Sequence, residues 1–321
     1  MQRTFLIDTD GGSDDVVALI MALRSPLVRV AAITTVAGNV PVGQATRNVL
    51  YTVELCGAGT PVYAGAEEPL VEALETAQWF HGKDGLGDHG YAPKSRQAET
   101  AHAVDAIIET VSANPGIEVV TLGPLTNLAL AIRKAPGLVR SIGRLVVMGG
   151  APCCEGNVTP AAEFNIWVDP AAARMVFRAG LPVEMVGWQL CRGRAALDPE
   201  DIRKILALGT PLAEFTIRSN SVAAEAYRVQ TGEIGISLPD PITMAIALGP
   251  QLCLDSSLHF VDIETASGLT RGMTVVDRLD VAGDGRNSGS WAWALERGVK
   301  TRICWTLDIE GWKAALRAAL A

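Results

Sequence analysis

Short apolar runs of strand length alternate with stretches of helical periodicity along almost the whole chain, and that alternation leaves few architectures open. Thr4 to Asp8 reads as a strand, after which Val16, Leu19, Ile20 and Leu23 recur at helical spacing, so the next element is a helix with one apolar face. Val28 to Val36 reads as a strand closed by Ala37-Gly38-Asn39, followed by a helix over Val42 to Cys56 and a strand near Pro61 to Ala64. The pattern resumes with a helix from Ala101 to Ala113, a strand from Glu118 to Leu122, a helix beginning at Pro124, a strand from Arg144 to Met148 and a helix opened by Asp169-Pro170. Pro182 to Val186 is the next predicted strand, and helices follow over Asp198 to Leu208, over Pro211 to Gln230 and from Asp240-Pro241. Strands over Leu258 to Ile263, Met273 to Val276 and Thr301 to Leu307 then lead to a closing helix over Glu310 to Leu320. Repeated βα units require a mainly parallel, doubly wound sheet covered by helices on both faces. No Ser/Gly/Pro-rich run or block of like charge marks a linker, so the 321 residues read as one α/β domain.

Two stretches interrupt the alternation. Glu67 to Glu99 is polar and weakly periodic, reads as a long loop with one short helix, and carries Trp79, Phe80, His81 and Gly82; Ala151 to Asn165 is a second loop. Loops of such length in compact domains usually serve function.

The joint between the first strand and the first helix, Asp8-Thr9-Asp10-Gly11-Gly12-Ser13-Asp14-Asp15, places four carboxylates in eight residues. Like charges this dense either face water or hold a hard cation through oxygen ligands, because burying them without a counter-charge is prohibitively costly. Gly11 and Gly12 favour a tight turn. Asp14 and Asp15 fall in the first turn of the helix, where negative charge suits the helix dipole. In an open α/β sheet, ligands gather beyond the carboxyl ends of the strands, where this cluster lies.

With 27 basic and 35 acidic residues the formal charge is −8, which opposes attraction to nucleic acid or to anionic membranes and leaves a neutral or cationic small molecule as the expected partner. No apolar run approaches the ~20 residues needed to cross a bilayer. The six cysteines show no CxxC spacing, Cys153-Cys154 reads as two small loop residues, and the chain begins directly with a strand-like segment, so a reducing cytoplasm is expected. Three Asp-Pro pairs occur, at Asp169, Asp198 and Asp240; each fits a helix N-cap followed by proline at the first helical position, and spacing does not tell a cap from a ligand.

Beyond these local readings, an ordered set of segments resembles the nucleoside hydrolase family, the inosine-uridine-preferring type of N-ribohydrolase. The opening aspartate run matches the family's DTDPGxDDA signature, and Ile33 to Asn39, Leu122-Gly123-Pro124-Leu125-Thr126-Asn127, Val147 to Gly150, Gly156-Asn157, Ala162 to Asn165 and Asp240-Pro241 follow in order. The resemblance spans nearly the entire chain and implies a Rossmann-like sheet. It also implies a calcium ion held by Asp10, Asp15, Asp240 and the backbone carbonyl of Leu122, with ribose hydroxyls and a water completing the shell. By the same resemblance Asp14, Asn39 and Asn165 grip the 2′ and 3′ hydroxyls, Asn157 and Glu163 reach the 5′ hydroxyl, Met148 lies against the sugar, and Asp10 takes the proton of the attacking water. The implied partner is a ribonucleoside, in a homodimer or homotetramer.

The chain departs from the pattern on the base side. Members accepting inosine and uridine often carry His immediately before the Asp-Pro that Asp240-Pro241 matches, where this chain has Pro239, which has no proton to donate. Candidates for assisting the leaving base are His81, Tyr227, and stacking by Trp79 or Trp188 as in purine-preferring members; His81 also suits a flexible solvated loop, and the two tryptophans and Tyr227 also suit core packing. Two other classes stay open. Asp8-x-Asp10-Gly11 also resembles the start of haloacid-dehalogenase phosphatases, although their later Lys and acidic pair are not found in order. With Pro239 in the acid's place, a riboside-binding protein without turnover is the third reading.

Overall fold

The computed structural model describes residues 2–266 and 268–321. Its centre is an eight-stranded sheet. In chain order the strands are β1 (Arg3–Thr9), β2 (Val28–Thr35), β3 (Val62–Ala64), β4 (Ile117–Thr121), β5 (Ile142–Met148), β6 (Val183–Val186), β7 (Cys253–His259), β8 (Val261–Ile263), β9 (Thr274–Val276) and β10 (Thr301–Leu307). The sheet order is β3-β2-β1-β4-β5-β6-β10-β7, parallel except for the antiparallel edge strand β7, while β8 and β9 pair separately. This is the mainly parallel, helix-flanked sheet expected from the alternation.

Consecutive apolar residues in the central strands are explained by burial on both faces. Phe5 and Ile7 of β1 face one core and Leu6, between them, faces the other, because successive side chains of a strand point to opposite sides. The first core is closed by α1 (Asp15–Arg24), α2 (Val42–Leu55), and, from the far end of the chain, α11 (Pro239–Leu248) and α13 (Ile309–Leu320). The second is closed by α4 (Ala103–Ala113), α5 (Thr126–Lys134) and α7 (Pro170–Phe177). The remaining helices are the short α3 (Gln78–His81) and α6 (Phe164–Val168), then α8 (Pro199–Leu206), α9 (Pro211–Ser219), α10 (Ser221–Thr231) and α12 (Ser288–Arg297). No helix among the described residues is long and apolar enough to cross a membrane.

The order β3-β2-β1-β4-β5-β6 fixes where a ligand fits. The chain leaves β1 toward β2 on one side and returns to β4 on the other, so a crevice opens beyond the carboxyl ends of β1 and β4.

Four local readings differ from the structure. The strand read over Leu258 to Ile263 breaks at Phe260, where the chain leaves β7 in the main sheet for β8 in the two-stranded one. The helix read over Pro211 to Gln230 breaks at Asn220. Helix α12 lacks a clear periodic signal because it buries only Ala294, resting with Trp291 and Trp293 on Phe260 and Ala282. Finally, pairing of β7 with β10 brings Cys253 and Cys304 to a Cα–Cα distance of 5.9 Å, where a disulfide joins them; the two are 51 residues apart, and inspection for CxxC spacing does not detect such a pair.

Candidate active site

The acidic joint folds into a buried turn. Gly11 adopts φ +65°, and a side chain there would also meet the backbone of Ala45 at 2.7 Å, so the tight turn requires glycine. Asp15 knits the turn together by accepting from Gly12 N (2.8 Å), Asp10 N (3.2 Å) and the hydroxyl of Thr9. Asp10 accepts from the backbone N–H of Asn39 (2.6 Å) and from Asn39 Nδ2 (3.0 Å), and the same Nδ2 reaches Asp15 at 3.0 Å. Asn39 thus bridges two carboxylates from the loop that follows β2.

Asp14 occupies the N-cap of α1 but its side chain makes no capping bond, and its buried Oδ1 has no hydrogen-bond partner. The three Asp-Pro pairs, indistinguishable by spacing, separate here. Asp169 caps α7 through Ala172 N (2.9 Å), and Asp198 caps α8 in a reciprocal capping box with Asp201. Asp240 does neither: Pro239 starts α11, and Asp240 turns into the acidic cluster.

Oxygens of Asp14, Asp15 and Asp240, one from each, lie within 4.8 Å of one another, and all three residues are buried. Asp10 stands outside that trio, both of its carboxylate oxygens accepting from Asn39. The electrostatic consequences are large. Burial first, then the charge of Asp15, pushes Asp14 up to about 8 and Asp10 well above the usual carboxylate range; Asp240 is raised by burial and by all three neighbours. No Lys or Arg lines the pocket above them. A set of crowded buried carboxylates with an orphaned oxygen, facing a pocket lined by no Lys or Arg and with only the neutral His81 ring 3.8 Å from Asp14 Oδ1, fits a hard divalent cation. The carbonyl of Leu122, also on the pocket wall, currently accepts from Asn165 Nδ2 at 2.9 Å.

That pocket brings together most of the residues singled out in the sequence: Asp14, Asn39, Trp79, His81, Leu122, Met148, Asn157, Glu163, Asn165, Trp188 and Asp240 all line it. Glu163 caps α6 through Asn165 N (3.0 Å) and also accepts from Gly150 N (2.8 Å); burial raises its pKa against these bonds. Asn165 Nδ2 further contacts the sulfur of Met148 at 3.2 Å, and Asn157 accepts from Phe164 N at 2.9 Å. Trp188 is buried in the wall, whereas Trp79 is 59% exposed at the mouth, edge-on to Phe80.

Tyr227 is not brought to the pocket. Its ring is buried behind the wall and its hydroxyl donates to Glu233, which together with burial pushes it up to about 12. His81, by contrast, is buried rather than solvated: Ser13 Oγ sits 2.9 Å from Nδ1, and desolvation lowers its pKa to about 4. The loop that carries it is tied down, with Ala77 N donating to Asn39 O (3.1 Å) and Asn48 Nδ2 donating both to Gly11 O and to Asp84 O (2.8 Å each). Sequence reading missed Asn220, Gln230, Phe164 and Ser237 on the wall. The one available signal was the polar Ser219-Asn220-Ser221, which breaks the periodicity of the helix read through it.

Comparison with known proteins agrees with this geometry. The family model described as inosine-uridine preferring nucleoside hydrolase matches residues 5–314. The chain is 38% identical over 291 residues to the pyrimidine-specific ribonucleoside hydrolase RihA of Citrobacter koseri, covering 90% of this chain and 92% of the relative. Among solved structures it is similar to the plant nucleoside hydrolase PpNRh1 (TM-score 0.92, 31% identity, 100% of this chain and 99% of the other). It is also similar to the purine-preferring ribonucleoside hydrolase of Gardnerella vaginalis (TM-score 0.87, 29% identity, 99% of each chain). These relatives differ in the base they are named for, and they displace the phosphatase reading. The chain belongs to the inosine-uridine preferring nucleoside hydrolase family, enzymes that hydrolyse N-glycosyl bonds of ribonucleosides.

Proposed function

We propose that this enzyme performs calcium-dependent hydrolysis of ribonucleosides, purine ribosides slightly favoured, to free base and ribose. The observation that carries the reading is the convergence of the buried carboxylates of Asp14, Asp15 and Asp240 beside a pocket lined by no Lys or Arg to neutralise them. Asp10, Asp15, Asp240 and the carbonyl of Leu122 would hold the ion. When bound it supplies a fixed positive charge that orients the sugar diol and makes water beside it more acidic.

The rest of the chemistry belongs to the chain. Asp10 accepts a proton from water as the water oxygen bonds to the anomeric carbon; the carbon–nitrogen bond breaks and its electron pair leaves with the base. Positive charge builds on the sugar in the transition state, and the surrounding carboxylates and amide oxygens stabilise it more than they stabilise the neutral substrate. Asp14, Asn39 and Asn165 would position the 2′ and 3′ hydroxyls, Asn157 and Glu163 the 5′ hydroxyl, and Met148 the ring face. Trp188 and Trp79 would flank the base. Pro239 offers no proton; His81, on the pocket wall, would assist the leaving base as a hydrogen-bond donor beside the stacking tryptophans, and Tyr227 no longer supports that role.

Release of reducing sugar from inosine, adenosine, guanosine, uridine and cytidine tests the proposal. A protein that binds these with saturation and no turnover would overturn it. The 5′ end of the proposed site holds Glu163 and no cation, so a phosphate there meets like charge. Hydrolysis of inosine 5′-monophosphate is therefore expected to be roughly 100-fold less efficient than that of inosine, measured as kcat/KM in the same assay.

A smaller change checks the placement of Asp10. A Cβ at Gly38 would lie 2.1 Å from Asp10 Oδ2 and 2.8 Å from Pro124 Cδ, so one of them must move. Gly38→Ala is expected to lower kcat/KM for inosine by about 100-fold, the cost of shifting a reacting group by about 1 Å.

A further inference from the structure

We propose that Ser13 and Asn220 are positioning residues that hold His81 in the tautomer carrying its proton on Nε2, so that this N–H is offered to the leaving base. The inference rests on the ribonucleoside reading above and adds two residues to it. The backbone N–H of Ser13 lies 3.4 Å from His81 Nδ1, and a backbone N–H only donates. Ser13 Oγ lies 2.9 Å from the same nitrogen. Asp14 Oδ1 lies 3.8 Å from Nδ1, beyond hydrogen-bond range, so Nδ1 accepts from Ser13 and the single proton of the ring sits on Nε2.

Ser13 is itself held. Asn220 Nδ2 donates to Ser13 O at 2.9 Å and to Thr216 O at 2.9 Å, spanning from the α9–α10 junction to the acidic turn. Ser13, Asn220 and His81 are all buried, so water does not compete for these bonds. The backbone of His81 is fixed as well, its N–H donating to Ala77 O (3.0 Å) and its carbonyl accepting from Gly87 N (3.0 Å). His81 Nε2 has no hydrogen-bond partner among the described residues, and His81 lines the pocket. With a backbone N–H directed at Nδ1 that nitrogen carries no proton, so the imidazole is neutral and acts through Nε2 as a hydrogen-bond donor, as a carbonyl-polarising histidine does in other enzymes.

Long-range nitrogen–proton NMR correlations on the calcium-loaded full chain, with His81 assigned through His81→Gln, read the tautomer directly. The Nε2–H pattern is expected in the wild type, loss of that uniform pattern in Ser13→Ala and Asn220→Asp, and its retention in Ser13→Thr. Kinetically, Ser13→Ala is expected to lower kcat/KM for inosine at least tenfold more than for p-nitrophenyl riboside, whose leaving group departs without a proton, and Ser13→Thr should restore the ratio. An Nδ1–H pattern in the wild type, or equal losses on both substrates in a folded Ser13→Ala, would overturn the assignment. If Ser13→Ala does not fold, the wild-type spectrum alone decides. An intact Nε2–H pattern in a protein that hydrolyses no riboside would overturn the ribonucleoside reading while upholding the tautomer.

Discussion

Asp10→Asn is expected to lower kcat/KM for inosine by about three to four orders of magnitude while leaving a folded protein. The amide keeps the size of the side chain and one acceptor for Asn39, which donates to both carboxylate oxygens in the native site. It cannot take a proton from water. At about 1.4 kcal/mol per tenfold in rate, the expected loss is roughly 4–6 kcal/mol of transition-state stabilisation. Stopped assays of reducing sugar, alongside near-ultraviolet circular dichroism to verify the fold, make the measurement. A folded variant with near-normal rates would remove Asp10 from the chemistry.

Chelation should produce the second large effect. Treatment with excess EDTA is expected to abolish turnover and to lower Tm, with calcium restoring both. The pH dependence of the stability change follows from the raised carboxyls. Folded Asp14 holds its proton up to about 8 and Asp8 up to about 7, against an ordinary value of 3.8, and burial is the leading cause in each. In the ion-free protein the folded state therefore binds more protons than the unfolded chain over that interval, and stability falls as pH rises through it. His81, lowered to about 4, works in the opposite direction only up to its ordinary value of 6.5. The window from pH 6.5 to 8 belongs to the carboxyls. Calcium is expected to raise Tm more at pH 8 than at pH 6.5; at an ion concentration of about 100 Kd the gain is about 2.7 kcal/mol, or roughly 4 °C. A Tm indifferent to calcium at pH 8 would argue that the cluster holds no ion.

These experiments probe parts of the molecule that were unequally legible in the sequence. Asp8 to Asp15 announced both a strand-to-helix joint and an oxygen-rich site because charge density and periodicity are local properties. Asp169, Asp198 and Asp240 carried the same dipeptide and could not be ranked, since a cap and a ligand use the same carboxylate. His81 read equally well as a solvated loop residue until the packing of its loop against Asn39, Asn48 and Ser13 buried it. Tyr227 read as a possible acid, and the rotation of α10 turned its hydroxyl to Glu233 instead.

The alternation of strands and helices up to β6, the acidic turn and the family to which the chain belongs were determined by the sequence alone, because each is written in residues adjacent along the chain. Tertiary structure decided which carboxylates converge, which aromatic rings line the pocket, the Asn220–Ser13–His81 connection and the Cys253–Cys304 bond. Those pairings join residues from 51 to more than 200 positions apart, and only the closing of the sheet and the docking of helices from the far end of the chain bring such partners within hydrogen-bonding range.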